Sequence, residues 1–234
     1  MTDSTAAAST ATTWQPSEST LLYCFAPRFF SKPGTPIDPT AFGAMADVDG
    51  AALAVGLFVA AFANLERRGK IVINQVEYKR LIGRGKRLEY AAVAGIDLDG
   101  EPNPSIERIL LRMKLKKGPT TPHGAVEAFF SKNMPDPWGF VGQFQLGCLQ
   151  MANFIDVAFE KQPGGFLKAA TSKRIITWHR EQVLPLAGAA EKVWADYQVW
   201  RNSSPFAQEI TEEVSAGIKR RREVEDHNVL GGDE

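Results

Sequence analysis

Apolar residues recur along this chain with two different periods, and the change of period marks the elements. The densest stretch is AALAVGLFVAAFA, residues 51–63. Leu53, Leu57, Ala61 and Leu65 recur every fourth residue, and Val55, Phe58, Val59 and Phe62 widen that stripe to nearly the whole circumference. A helix apolar all round belongs at the centre of a fold. Asp47 or Asp49 can cap it, because a carboxylate accepts bonds from first-turn amides that lack helical partners. Arg67 and Arg68 suit the negative end of its dipole, and Gly69 supplies a left-handed stop.

The period then drops to two. Ile71 and Ile73 alternate with polar neighbours, the pattern slips at Gln75, and it resumes at Val76 and Tyr78. Gly83-Arg84-Gly85 reads as a hairpin tip and Leu88–Val93 as the returning strand. Helix, glycine, strand, basic hairpin, strand is the back half of a winged-helix module, expected over about 47–117. Any α+β domain with a small sheet remains the plainer reading. GIDLDGEPNPS is turn-rich, with Asn103 placed to cap and Pro104 to open a helix reaching about Lys117. Beyond it the pattern predicts a short helix at Ala125–Ser131 and a long one at Phe140–Lys161, whose apolar face is Phe144, Cys148, Ala152, Ile155 and Phe159. Gln162-Pro163-Gly164-Gly165 ends it. Further helices are predicted at Ser172–Leu184, Ala187–Trp200 and Pro205–Glu225. The fold expected is therefore mainly α with a small antiparallel hairpin: a winged-helix-like first half and a helical bundle over 118–225. Residues 21–225 form one domain between a Ser/Thr-rich tail, 1–20, and a frayed end, 226–234.

Composition excludes several classes. The chain has 234 residues, 44% hydrophobic and 23% charged, and is formally neutral. That is ordinary for a globular protein and ample for a core. Two distant cysteines, Cys24 and Cys148, make no disulfide framework, so the chain reads as cytoplasmic. A single bridge between them is left open. The first twenty residues contain no Lys or Arg and no apolar run, unlike a signal peptide. The thirteen residues 51–63 are too few to span a bilayer, which takes about twenty.

Catalytic chemistry finds little purchase. His123, His179 and His227 are not paired at helical spacing, and there is no CxxC or HExxH, so no metal or cofactor is expected. There is no GxSxG elbow, and Gly83–Arg87 lacks the third glycine and the helix of a phosphate cradle. Asp97 and Asp99 in DLDGE serve turn geometry. Trp194, Tyr197 and Trp200 are able to stack on a ligand, but three-residue spacing on one helix reads first as a helix–helix contact.

Charge distribution is the informative feature. Residues 66–117 carry 13 Lys or Arg against 7 Asp or Glu, whereas residues 207–234 carry 4 against 8. Neutrality thus hides a basic module. Lys79, Arg80, Arg84, Lys86 and Arg87 gather on the expected hairpin, where a focused positive patch attracts phosphates. An anionic lipid surface and a nucleic acid both qualify. A hairpin charged only for solubility is the plain alternative.

LAVGLFVAAFANLERRGKIVI, residues 53–73, resembles the first core helix of the Golgi phosphoprotein 3-like family and its turn into a strand. PNPSIERILLRMK, residues 102–114, is similar to that family's next helix, and an alignment can run from 47 to about 222. The resemblance implies a helical fold around a small sheet and hairpin. It also implies an adaptor role, since eukaryotic members bind phosphatidylinositol 4-phosphate on Golgi membranes. The family's aromatic-plus-arginine headgroup site has no matching positions here, so no functional residue is carried over. Three functions are therefore expected in order. The first is a non-enzymatic cytoplasmic binding or adaptor protein, peripheral to a membrane, whose hairpin holds an anionic partner such as a phosphorylated lipid headgroup. The second is a winged-helix nucleic-acid-binding regulator. The third is a protein–protein interaction module that docks a partner through its helical half.

Overall fold

The computed structural model describes residues 15–36, 38, 41–43, 45–79, 84–117, 120–130, 134–162 and 171–230. The fold is mainly α, with two small antiparallel two-stranded sheets. In chain order it runs α1 (Glu18–Cys24), α2 (Ala26–Phe29), α3 (Gly50–Arg67), β1 (Ile71–Lys79), β2 (Arg84–Ala92), α4 (Ile106–Lys117), α5 (Pro122–Phe129) and α6 (Pro137–Met151). There follow β3 (Ile155–Gln162), β4 (Thr171–Trp178), α7 (Arg180–Val183), a single 3-10 turn, α8 (Ala187–Ser203) and α9 (Ala207–Leu230).

Helix α3 is the centre, as its all-round apolar pattern requires. Every residue from Gly56 to Leu65 is buried, and α1, α4, α6, α8 and α9 all pack on it. Among the described residues it is the one helix apolar and long enough to cross a membrane, at 18 residues, but 67% of that window is buried inside the protein. It starts where Asp49 accepts from the Ala51 and Ala52 amides at 2.9 and 3.0 Å. It stops in a paired C-terminal motif: Gly69 N–H donates to Glu66 and Lys70 N–H to Leu65. Gly69 takes φ +63° there, the left-handed conformation that favours glycine.

The turn aims the chain straight into β1. Strands β1 and β2 pair residue for residue from Ile71–Ala92 to Lys79–Arg84, with no slip at Gln75. Ile71, Ile73, Leu88 and Tyr90 form one face and are buried against the core. Burial of each such side chain contributes about 1.5–3 kcal/mol, enough to hold a two-stranded ribbon that water alone would not. Tyr90 meets Phe62 of α3 edge-on at 4.9 Å, and Thr120 closes the outer edge of β2 through two backbone bonds to Tyr90.

Four expectations change. The long helix predicted at Phe140–Lys161 ends at Met151, and the one predicted at Ser172–Leu184 is mostly strand. Residues 155–162 and 171–178 instead form a second hairpin, so the C-terminal half is not purely helical. Gln162 ends β3, and residues 163–165 of the predicted stop lie outside the described residues. Asn153 makes the difference. It sits at φ +60°, with its N–H donating to Gln150 and that of Phe154 to Leu149, the same motif that closes α3. Helix α4 is capped by Ser105 rather than Asn103, for the Ser105 hydroxyl accepts from Arg108 N–H at 3.0 Å.

The tail boundaries also move. Ser17 caps α1 and Ser19 and Thr20 are buried in it, so the fold begins before residue 20. Helix α9 continues to Leu230, through part of the segment expected to fray. The burial of Ser19 is matched by Glu107, a wholly buried acid on α4, and that of Thr20 by Gln145. The Glu107 carboxylate accepts from Ser19 N–H and Oγ at 2.9 and 2.8 Å, while Thr20 donates to Gln145 of α6. Burial raises the Glu107 pKa and the bonds from Ser19 oppose that rise. Three helices are thereby tied through one polar knot. Cys24 and Cys148 are free and buried, and burial pushes both thiols up to about 12, so no disulfide joins them and neither suits a nucleophile.

Candidate basic hairpin site

The register of β1 and β2 decides what the basic cluster can do. Paired residues in an antiparallel ribbon share a face. Lys79 stands opposite Arg84, and Lys86 opposite Glu77. All four therefore lie on one face, which continues outward from the buried Ile71–Tyr90 row past Gln75 and Leu88. Arg87 pairs with Val76 and lies on the other face, with Tyr78 and Glu89. Arg80 lies outside the described residues. The five residues clustered in sequence are thus not one constellation. Three cations share a face and a fourth points away from them.

Pairing divides them further. Arg87 donates through Nε to Glu89 at 2.9 Å, and its guanidinium lies 5.2 Å from the Tyr78 ring centroid. Arg84 meets Glu77 at 3.2 Å, but both side chains are mostly exposed, at 79% and 58%. An ion pair in that setting is worth about 0–1 kcal/mol, so an incoming anion can take Arg84 from Glu77. Lys79 and Lys86 are exposed and form no ion pair among the described residues. The outer half of this face therefore carries three positive charges against one negative charge.

Elsewhere in the basic segment several cations are held by internal acids. Glu101, 1% exposed, holds both Arg68, at 2.9 Å, and Lys70. Arg67 pairs with Asp196 at 2.9 Å. The Asp97 side chain accepts from Asp99 N–H at 2.8 Å, the turn role expected of that pair. Among the described residues no group of three His, Cys, Asp or Glu side chains is placed to hold a metal ion.

Two further features escaped the sequence pattern. His179 lies between β4 and α7, not within a helix. Its Nδ1 is 2.7 Å from the Asn153 carbonyl and its Nε2 2.8 Å from Asp156. The hydrogen bond to Asp156, and then that to Asn153, raises its pKa above the ordinary 6.5. The second feature is a groove beside α8. Tyr197 and Trp200 are buried, as a helix–helix contact requires, and Trp200 donates to Glu66 at 2.6 Å. Trp194 is only half-buried and lines the groove. No family model, no curated protein and no solved structure matches the chain.

Proposed function

We propose that the chain is a non-enzymatic binding or adaptor protein that docks on an anionic lipid surface through the outer face of hairpin β1–β2. The observation that carries the reading is the cross-strand register, which gathers Lys79, Arg84 and Lys86 on one face at the free end of a ribbon whose inner end is buried. The inner end fixes the direction of the ribbon, and the outer end brings three cations forward together. Each Lys or Arg near an anionic membrane contributes about 1 kcal/mol, so three give roughly a hundredfold preference for anionic over neutral lipid. Exposed amines and guanidinium suit phosphorylated headgroups by charge and by hydrogen bonding. The resemblance of residues 53–73 to Golgi phosphoprotein 3-like proteins points the same way. Such a protein sits in the cytoplasm against a membrane and needs no cofactor.

Flotation with phosphatidylcholine vesicles, with and without a phosphoinositide, tests this. The protein is expected to float only with the anionic vesicles, and Lys79→Gln/Arg84→Gln/Lys86→Gln is expected to stay behind at unchanged melting temperature. Equal flotation on both vesicles contradicts the reading. So does salt-sensitive capture of duplex DNA with no vesicle binding, which would assign the face to a nucleic acid.

A further inference from the structure

At the N-terminal half of α3, away from the end that leads into hairpin β1–β2, lies an open groove of about 580 Å³. That volume falls in the range of small-molecule sites, about 300–1,000 Å³. Its apolar side is aromatic. Trp194 stacks on Phe29 with centroids 5.0 Å apart and takes the edge of Phe30 at 5.4 Å. Phe30 in turn lies over Gly56, where a Cβ would come within 2.2 Å of the ring. Phe29, Phe30 and Gly56 therefore set the indole of Trp194 at the groove wall. Trp138 of α6, half-buried, lines the same space.

The remaining wall is polar and cationic. Thr211, Ser215 and Lys219 recur every fourth residue on α9, so they stand in a row along the groove. Arg201 of α8 adds a second cation. Arg201 and Lys219 are both exposed, and neither forms an ion pair among the described residues. The carboxylate of Glu212, in the cavity that adjoins Arg201, is engaged by Gln208 at 2.9 Å. An aromatic wall beside two cations that form no ion pair among the described residues fits a ligand with a flat apolar body and one negative group.

We propose that this groove binds a small aromatic monoanion. The ring system lies against the apolar surface that Trp138 and Trp194 contribute to the groove wall. The carboxylate, or an equivalent anion, reaches Arg201 and Lys219, with Ser215 as a further donor. Charge complementarity sets the class of ligand, and the volume limits it to a few fused rings.

2-Naphthoate and its neutral isostere 2-naphthamide are suitable probes, titrated into the full chain by calorimetry and by tryptophan fluorescence. Naphthoate is expected to bind saturably at one site, about tenfold or more tighter than the amide, since loss of one charge-assisted contact amounts to about a factor of ten. Arg201→Gln/Lys219→Gln, two exposed positions, is expected to erase the difference while leaving the melting temperature unchanged. Trp138→Phe is expected to weaken both probes alike. Equal affinity for acid and amide, no saturable binding up to millimolar probe, or full affinity in the double variant would each overturn the proposal. So would a dimer in light scattering that naphthoate leaves intact while failing to bind, since a second copy would then fill the groove.

Discussion

The two hairpins follow the same local plan and end in different places. Each leaves a helix through a left-handed residue, Gly69 after α3 and Asn153 after α6, and each motif makes the same pair of backbone bonds. Hairpin β1–β2 then lays four buried side chains along the core. Among the described side chains of hairpin β3–β4 only Ile155, at its base, is fully buried, with Val157, Ile176 and Trp178 half-covered and Phe159 68% exposed. Local turn chemistry starts a ribbon, but the length of its apolar row decides whether the ribbon becomes part of the core. A ribbon fixed along its inner half can hold charges in a defined direction at its outer half. That is the physical basis for proposing that binding belongs to the first hairpin.

The sharpest contrast between them is burial. Leu88→Ala removes a side chain with no exposure and is expected to cost about 2–5 kcal/mol in urea unfolding. Phe159→Ala, mostly exposed, is expected to stay within about 0.5 kcal/mol. Similar costs at the two positions would mean that the second hairpin is as firmly packed as the first.

The next contrast lies in the turns. No side chain crowds Gly69, so Gly69→Ala costs only the left-handed backbone, about 1–2 kcal/mol. Asn153→Gly is expected to stabilise by a few tenths of a kcal/mol, because glycine suits φ +60° better. A neutral Gly69→Ala would show that the first turn does not depend on its left-handed residue.

The smallest effect belongs to pH. A carbonyl and an ionised carboxylate only accept, so His179 satisfies both of its bonds as the imidazolium. Its folded pKa is raised, and its contribution is therefore complete below the ordinary value near 6.5 and lost as pH rises through the folded pKa. An NMR titration of the His179 ring is expected to give a midpoint above 6.5, and Asp156→Asn is expected to lower it. The stability gap between wild type and His179→Gln is expected to close as pH rises through that midpoint.

These contrasts also explain what the sequence made legible. Gly69 advertises a left-handed stop, and the alternation Ile71, Ile73 follows at once, so helix and first hairpin were both readable. Asn153 does the same work without the signature of a glycine. Phe144, Cys148, Ala152, Ile155 and Phe159 keep a helical spacing straight through it, which predicted one long helix where the chain turns into a strand. A left-handed Asn followed by alternating Ile155, Val157 and Phe159 was the available signal. Ser19 and Thr20 read as tail because their partners, Glu107 and Gln145, lie 88 and 125 residues further along. The basic cluster was visible as composition, but its split between two faces depends on register, which only the pairing of Lys79 with Arg84 fixes. The groove brings α2, α3, α6, α8 and α9 together, and no local pattern encodes that.

Lys86 and Arg87 adjoin in sequence and lie on opposite faces of β2, which makes them the most direct test. Lys86→Glu and Arg87→Glu change net charge equally. On anionic vesicles in a salt series, Lys86→Glu is expected to weaken binding about tenfold or more, while Arg87→Glu, on the opposite face where the native guanidinium is paired with Glu89, stays near wild type. Equal losses from the two variants would contradict the account, for the membrane would then be reading total charge and not one face of the hairpin.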